Sequence, residues 1–269
     1  MIARSIRERT KRVPVLGPLL YHFYLKIFYR EGEILTIQEG ELRGKAWIRF
    51  MQTYCESYVR GDYELPVQTA LAKYLRPNMV FYDVGANGGF FSLLGASLVG
   101  RGGRVVAFEP HPTIVKLLKK QVRINNMHQV DVVAAAVSDK AGSAKFADGA
   151  ASDMNSLVNA DKADRTIWVK TTTLDEETKR RPLPDMLKID VEGAEIDVLR
   201  GAYQLLRTKK PILLVEIHSS ELAVQYDELM AKIGYQTRDL AGNAISAAES
   251  RHRYVIQSYV ISQYVCPPI

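Results

Sequence analysis

Cysteine is almost missing from this chain: 269 residues hold only two, Cys55 and Cys266. They form no C-x-x-C pair and no spaced framework, which excludes a disulfide scaffold and a thiolate zinc site and gives no sign of an oxidising compartment. A long apolar run is missing too. The best candidate, Val13 to Arg30, is interrupted by His22 and Lys26 and falls short of the roughly 18–20 uncharged residues that span a bilayer. It also lacks the small-residue cleavage site of a signal peptide. No internal repeat is visible. Composition is ordinary, with 47% hydrophobic and 25% charged residues, which excludes collagen-like, low-complexity and wholly disordered chains. The body of the chain also lacks a charge surplus. Residues 1–30 hold seven basic residues against Glu8, which accounts for the net +6, and the remaining charges cancel. A protein that tracks a phosphate backbone carries a basic face on its folded domain, so no nucleic-acid partner is expected.

The length suits one domain with an appendage. We divide the chain into a basic helix and β-hairpin extension over 1–60 and a main domain over 61–269. The Arg-rich start has two readings: an amphipathic helix docked on the core, or one lying on an anionic membrane surface. The expected location is cytoplasmic, with peripheral membrane contact through residues 1–30 under the second reading.

Residues 34–50 alternate weakly around two Gly turns and predict a hairpin. A helix is expected over 65–75, with Pro66 in its first turn. Apolar runs at 80–84, 104–108, 130–137, 186–190 and 211–217 read as buried strands. Helices are expected between and after them at 89–99, 112–125, 193–206 and 220–233, the last ending at Gly234 as a C-cap. Residues 138–174 read as an irregular β insertion with strand-like pieces at 143–147 and 166–172. Strands at 235–240 and 254–262 follow with no helix between them. This order implies an α/β fold: a mostly parallel sheet closed by an antiparallel C-terminal hairpin. Ligands of such sheets sit beyond the carboxyl ends of the strands.

Every motif with chemical content lies at such an end. Asp83-Val84-Gly85-Ala86-Asn87-Gly88-Gly89 follows the first strand and opens a helix. Gly85 allows a tight turn, and Gly88 and Gly89 allow close approach to a ligand. The spacing is not that of the dinucleotide fingerprint. A carboxylate at Asp83 would repel a diphosphate and attract a sulfonium or ammonium. Glu109, at the end of the second strand, is acceptor-only with two oxygens and suits the two hydroxyls of a ribose. Asp190 and Glu192 close the fourth strand, and alternation places them on one face if the strand continues. Crowding there would raise one pKa and supply a general base. The pair could equally hold a divalent metal or bind substrate hydroxyls, and no His/Cys ligand spacing supports a metal. Glu195 reads as first-turn helix-dipole chemistry. His218, at the end of the fifth strand, titrates near neutrality and is a further base candidate.

The blocks FYDVGANGGFFS (81–92), VVAFEPHP (105–112), AAAVSDKAG (134–142), TTLDE (172–176), LKIDVEGAEIDVLRGA (187–202) and ILLVEIH (212–218) resemble, in order and spacing, the FkbM-type methyltransferases. These are S-adenosylmethionine-dependent enzymes with a seven-stranded Rossmann-like fold. The resemblance covers about residues 60–240. It implies that Asp83, Gly85, Asn87 and Gly88 line the methionine end of the cofactor. It implies that Glu109 holds the ribose, that Ala136 and Val137 border the adenine, and that Asp190 and Glu192 face the methyl group and substrate. It further implies O-methylation of a small-molecule hydroxyl on a sugar or polyketide-type acceptor, with the segment Ser152 to Ser156 facing substrate. Asp190 is the favoured base, with Glu192 or His218 second. Two rivals remain: a nicotinamide-dependent oxidoreductase, against which Asp83 speaks, and a non-catalytic membrane-surface binding protein.

Overall fold

The computed structural model describes residues 30–50, 55–148, 157–158, 165–244 and 258–264. The Arg-rich start, the Ser152–Ser156 segment and the first part of the last expected strand lie outside these residues. At the front, β1 (Ile34–Thr36) and β2 (Ala46–Ile48) pair antiparallel as the expected hairpin. Next come α1 (Cys55–Arg60) and α2 (Leu65–Tyr74). The first winding units are β3 (Val80–Val84), α3 (Phe90–Val99), β4 (Arg104–Phe108), α4 (Pro112–Ile124) and β5 (Val130–Val133). A side sheet follows, made of β6 (Ala136–Val137), β7 (Gly142–Ala147) and β8 (Thr166–Thr172), and then the single turn α5 (Leu174–Glu177). The winding resumes with β9 (Met186–Ile189), α6 (Glu195–Arg200), α7 (Tyr203–Thr208), β10 (Ile212–Ile217) and α8 (Ser220–Ile233). It closes with β11 (Tyr235–Asp239) and β12 (Ser258–Tyr264).

The main sheet has seven strands in the order β11-β12-β10-β9-β3-β4-β5. Its parallel strands are buried on both faces, which is why they read as unbroken apolar runs. β12 slots between β10 and β11 and runs antiparallel to both, so the expected terminal hairpin is present. The chain winds outward from β3 through β4 to β5, then crosses to β9 and β10. The strand order therefore reverses at β3 and β9, and a crevice opens at their carboxyl ends.

Two expected elements are corrected. The run 130–137 is not one strand. It breaks after Val133, and Ala136–Val137 pairs instead with Thr171–Thr172 in the side sheet. Both halves are apolar, so hydropathy alone does not reveal the change of sheet. The helix expected over 193–206 is two short helices. Gly201 packs so closely on Ser138 that a Cβ would strike the Ser138 carbonyl. The Asp175 carboxylate accepts from the amides of Gln204 and Leu205 at 3.0 and 2.8 Å and so caps α7 as a separate helix.

The extension is tied to the domain by backbone mimicry. The Gln121 side chain bonds the Ile48 amide (3.0 Å) and carbonyl (3.3 Å). Asn125 does the same for Ala46, at 2.8 Å on both sides. One side chain of α4 and that of its C-cap residue thus satisfy a strand edge that would otherwise be unpaired. Trp47, Phe50 and Tyr58 join Phe90 and Phe91 in one apolar cluster on that face of the sheet. No helix among the described residues is long and apolar enough to cross a membrane.

Candidate active site

The crevice owes its shape to one close approach. β3 and β9 pair with Val84 opposite Ile189, and the Asp190 amide donates to the Val84 carbonyl at 3.0 Å. The next residue, Gly85, has φ +81, and a Cβ there would run into the Asp190 carbonyl. Only glycine allows the two loops to touch, as the tight-turn reading expected. The other glycines have a part beyond the expected one. At Gly88 a Cβ would meet the Phe50 ring, and at Gly89 the Leu118 side chain. They allow close packing against the protein, and both also line the cavity described next.

A cavity lies above this contact, roofed by Trp47, Tyr58 and Tyr63. Of the residues nominated from sequence, Gly85, Asn87, Gly88, Glu109, Ala136, Val137, Asp190 and Glu192 line it, and Asp83 and His218 do not. Asp83 is fully buried behind the wall. It accepts from Ser92 Oγ at 2.6 Å, and its other oxygen makes no hydrogen bond, with Lys188 Nζ 3.9 Å away. Burial pushes its pKa up, against the pull of Lys188. The expectation that this carboxylate meets the ligand directly is therefore corrected. Five carboxyl groups line the cavity, Glu64, Glu109, Asp190, Glu192 and Glu216, the last held mostly protonated, against Lys188 as the lining cation. That field favours a cationic ligand over a diphosphate.

Glu109 sits where β4 ends. It is buried and accepts from the Asn87 amide at 3.0 Å and the His111 amide at 2.8 Å. Each oxygen keeps a further acceptor position. Phe108, Ile114, Ala136 and Val137 supply apolar wall nearby. An acceptor-only group beside an apolar slot fits an adenosyl ligand. Burial pushes Glu109 up to about 7, against the two backbone donors that pull it down. If Glu109 holds the ribose, as the resemblance implies, the diol needs its ionised form, and cofactor affinity should fall as pH drops through about 7, nearing tenfold per unit well below it. Glu109→Ala should weaken S-adenosylmethionine binding about tenfold or more, by loss of charge-assisted hydrogen bonds. Calorimetry at pH 6, 7 and 8 checks both expectations. A pH-independent affinity that the substitution leaves unchanged would remove Glu109 from the ribose.

The remaining charges gather around Asp190. Its Oδ2 accepts from Lys188 Nζ at 2.9 Å, deep in the fold, where Lys188 is 1% exposed. Burial raises the Asp190 pKa, but Lys188 outweighs it and holds the group below the usual carboxylate range. The crowding is expected to raise one member of the Asp190 and Glu192 pair; the group that is raised is Glu216, which burial and the Asp190 charge push up to about 8. The strand ends at Ile189 and Glu192 has φ +54, so simple alternation does not bring Asp190 and Glu192 together. A left-handed turn does. Their oxygens and a ring nitrogen of His218 lie within 4.8 Å of one another. For His218, burial lowers the pKa, but the Glu192 and Glu195 carboxylates override it and raise the ring to about 11. The ring is a cation at neutral pH, which corrects its reading as a base. Glu195 stands in the first turn of α6, as expected, and has a further part. It is fully buried and accepts from the Gly193 amide at 2.9 Å, with His218 Nδ1 at 2.8 Å. Sequence reading missed Lys188 and Glu216 as members of the site. The available signal was charge in the middle of two otherwise apolar strands.

The family model described as the methyltransferase FkbM domain matches residues 83–239, more than half of the chain. This chain belongs to the FkbM methyltransferase family. As a member it is an S-adenosylmethionine-dependent methyltransferase, which sets aside the nicotinamide reading. No curated protein matches it. Among solved structures it is similar to one described as a transferase from Pyrococcus horikoshii, at 12% identity and TM-score 0.52, covering 93% of this chain and 84% of that one. It is also similar to an FkbM methyltransferase from Methylobacillus flagellatus, at 17% identity and TM-score 0.45, covering 78% of this chain and 60% of that one. A third is an O-methyltransferase from Thermotoga maritima, at 12% identity and TM-score 0.48, covering 91% and 82%. At such identities the likeness concerns the fold alone.

Proposed function

We propose that this methyltransferase transfers its methyl group to a hydroxyl oxygen of a small molecule of the sugar or polyketide type, with Asp190 as the proton acceptor. The observation that carries the reading is the place of Asp190. Asp190 lines the cavity, and its backbone carbonyl abuts the Gly85 turn, which sets its carboxylate beside that turn. When bound, S-adenosylmethionine supplies a sulfonium-activated methyl group open to in-line displacement.

The chain's own part is to orient and to accept a proton. Lys188 fixes the Asp190 carboxylate and keeps it ionised, so that it can accept from an incoming hydroxyl. Its low basicity is tolerable because a hydroxyl becomes strongly acidic as its oxygen gains a third bond, to the methyl carbon, and with it positive charge. Glu216, raised to about 8, stays mostly protonated and hydrogen-bonds to the Asp190 carboxylate, which helps to keep that carboxylate ionised. Trp47, Tyr58 and Tyr63 give the cavity an aromatic wall, and alignment of the acceptor supplies much of the rate. Incubating the chain with methyl-labelled S-adenosylmethionine and a panel of sugars, polyketide hydroxyls, amines and activated carbon acids tests this. A methyl ether is the expected product. Label appearing only on nitrogen or carbon would refute the proposal.

A further inference from the structure

We propose that Asp190, Glu192 and His218 form a binding site for a divalent first-row transition ion in the wall of the cavity. Oxygen atoms of the two carboxylates and one ring nitrogen lie within 4.8 Å of one another. His218 Nε2 stands 3.2 Å from Glu192 Oε2, 3.9 Å from Asp190 Oδ1 and 4.0 Å from Glu216 Oε2. The edges of a four-coordinate ion with bonds of about 2.1 Å run about 3.4 Å, so small side-chain adjustments close the set.

A cluster of acids alone would carry little. The second observation is the imidazole. Its side chain is 10% exposed, and Nε2 is buried and makes no hydrogen bond. The other nitrogen, Nδ1, faces the fully buried Glu195 at 2.8 Å. A carboxylate behind a histidine fixes the ring and aims the far nitrogen, the arrangement found behind metal-ligating histidines. The charge count agrees. The carboxylates of Asp190, Glu192 and Glu195 surround this point and outnumber the Lys188 ammonium beside them. An ion takes the place of a proton on Nε2 and offsets the surplus. The mixed imidazole and carboxylate set suits Mn²⁺ or Zn²⁺ better than Mg²⁺, which prefers oxygen ligands and retains its water.

The site adds to the proposed O-methylation, and only the ion's role beside the acceptor hydroxyl rests on that reading. Ion binding itself does not, so it can be tested alone. The full-length chain, stripped with chelator, is titrated with MnCl2, ZnCl2 and MgCl2, with free Mn²⁺ followed by electron paramagnetic resonance and Zn²⁺ by calorimetry. One Mn²⁺ or Zn²⁺ per chain is expected, with Mg²⁺ at least tenfold weaker. Glu192→Gln and His218→Ala should each weaken binding at least tenfold. Glu195→Gln, a positioning change, should weaken it about tenfold. Binding of S-adenosylmethionine by each variant shows that it is folded, and Glu192→Gln changes shape least. No stoichiometric Mn²⁺ or Zn²⁺ at millimolar concentration would overturn the proposal. So would undiminished binding in a folded Glu192→Gln variant. Methylation of nitrogen or carbon would sink the O-methylation reading and leave the ion result standing.

Discussion

Replacing Lys188 by methionine should cost about 3–5 kcal/mol of folding stability, the largest effect of any single substitution considered. Lys188 is 1% exposed and stands between two carboxylates, Asp190 at 2.9 Å and Asp83 at 3.9 Å. Its ammonium also lies 4.9 Å from the centre of the Phe91 ring. Methionine matches its volume, so the loss measures charge more than packing. Removing one partner of a buried pair leaves the other charge without compensation, and that is what makes such changes expensive. The sign of the pH dependence follows from Asp83. Burial already raises its pKa, and Lys188 is the main force opposing that rise. Without Lys188 the folded-state pKa climbs further above the unfolded value. Stability is then kept at low pH, where the carboxyl is protonated, and lost as pH rises through the folded pKa. The deficit of Lys188→Met should therefore be larger at pH 8 than at pH 5. Adding Asp83→Asn should recover part of it, since the uncompensated charge is then gone. Urea unfolding of the four proteins in this cycle is the measurement. A deficit under 1 kcal/mol with no pH trend would mean that the lysine does not neutralise this wall.

The same residue shows where sequence reading stops. Met186–Ile189 looks like an apolar strand with one charge in it, and nothing local says that the lysine points inward. Its partner Asp83 is identified only once β3 and β9 are known to be neighbours, with Asp83 opposite Lys188. The glycine turn, the ends of the parallel strands and the placing of Glu109 and Asp190 at one crevice were legible because winding order and strand polarity determine them. The split of 130–137 between two sheets was not, because Val133 and Ala136 are equally apolar and the partner of Ala136 is Thr171, far along the chain. Nor was the burial of Glu195. Its helix-start position has an adequate local explanation, and only the approach of His218 from β10 reveals the other one.

Asp190→Asn should reduce turnover about 10²–10⁴-fold, the usual range for loss of a positioned proton acceptor. Affinity for S-adenosylmethionine should stay within a few-fold, because the adenosyl contacts are assigned to Glu109 and the walls beside it. The substitution preserves shape and removes the charge that accepts the proton. It also places an amide where Lys188 now finds a carboxylate oxygen at 2.9 Å, so some loss of stability accompanies it and assays belong well below the variant's melting temperature. Glu109→Ala should show the opposite balance, with binding hit hard and turnover at saturating cofactor hit less. The contrast discriminates because both carboxylates line one cavity, and general damage to that cavity would lower both quantities in both variants. If Asp190→Asn kept its turnover while Glu109→Ala kept its cofactor affinity, the two roles would be misassigned. A fall in turnover alone at Asp190, with product still a methyl ether, would establish the acceptor as the group that this carboxylate serves.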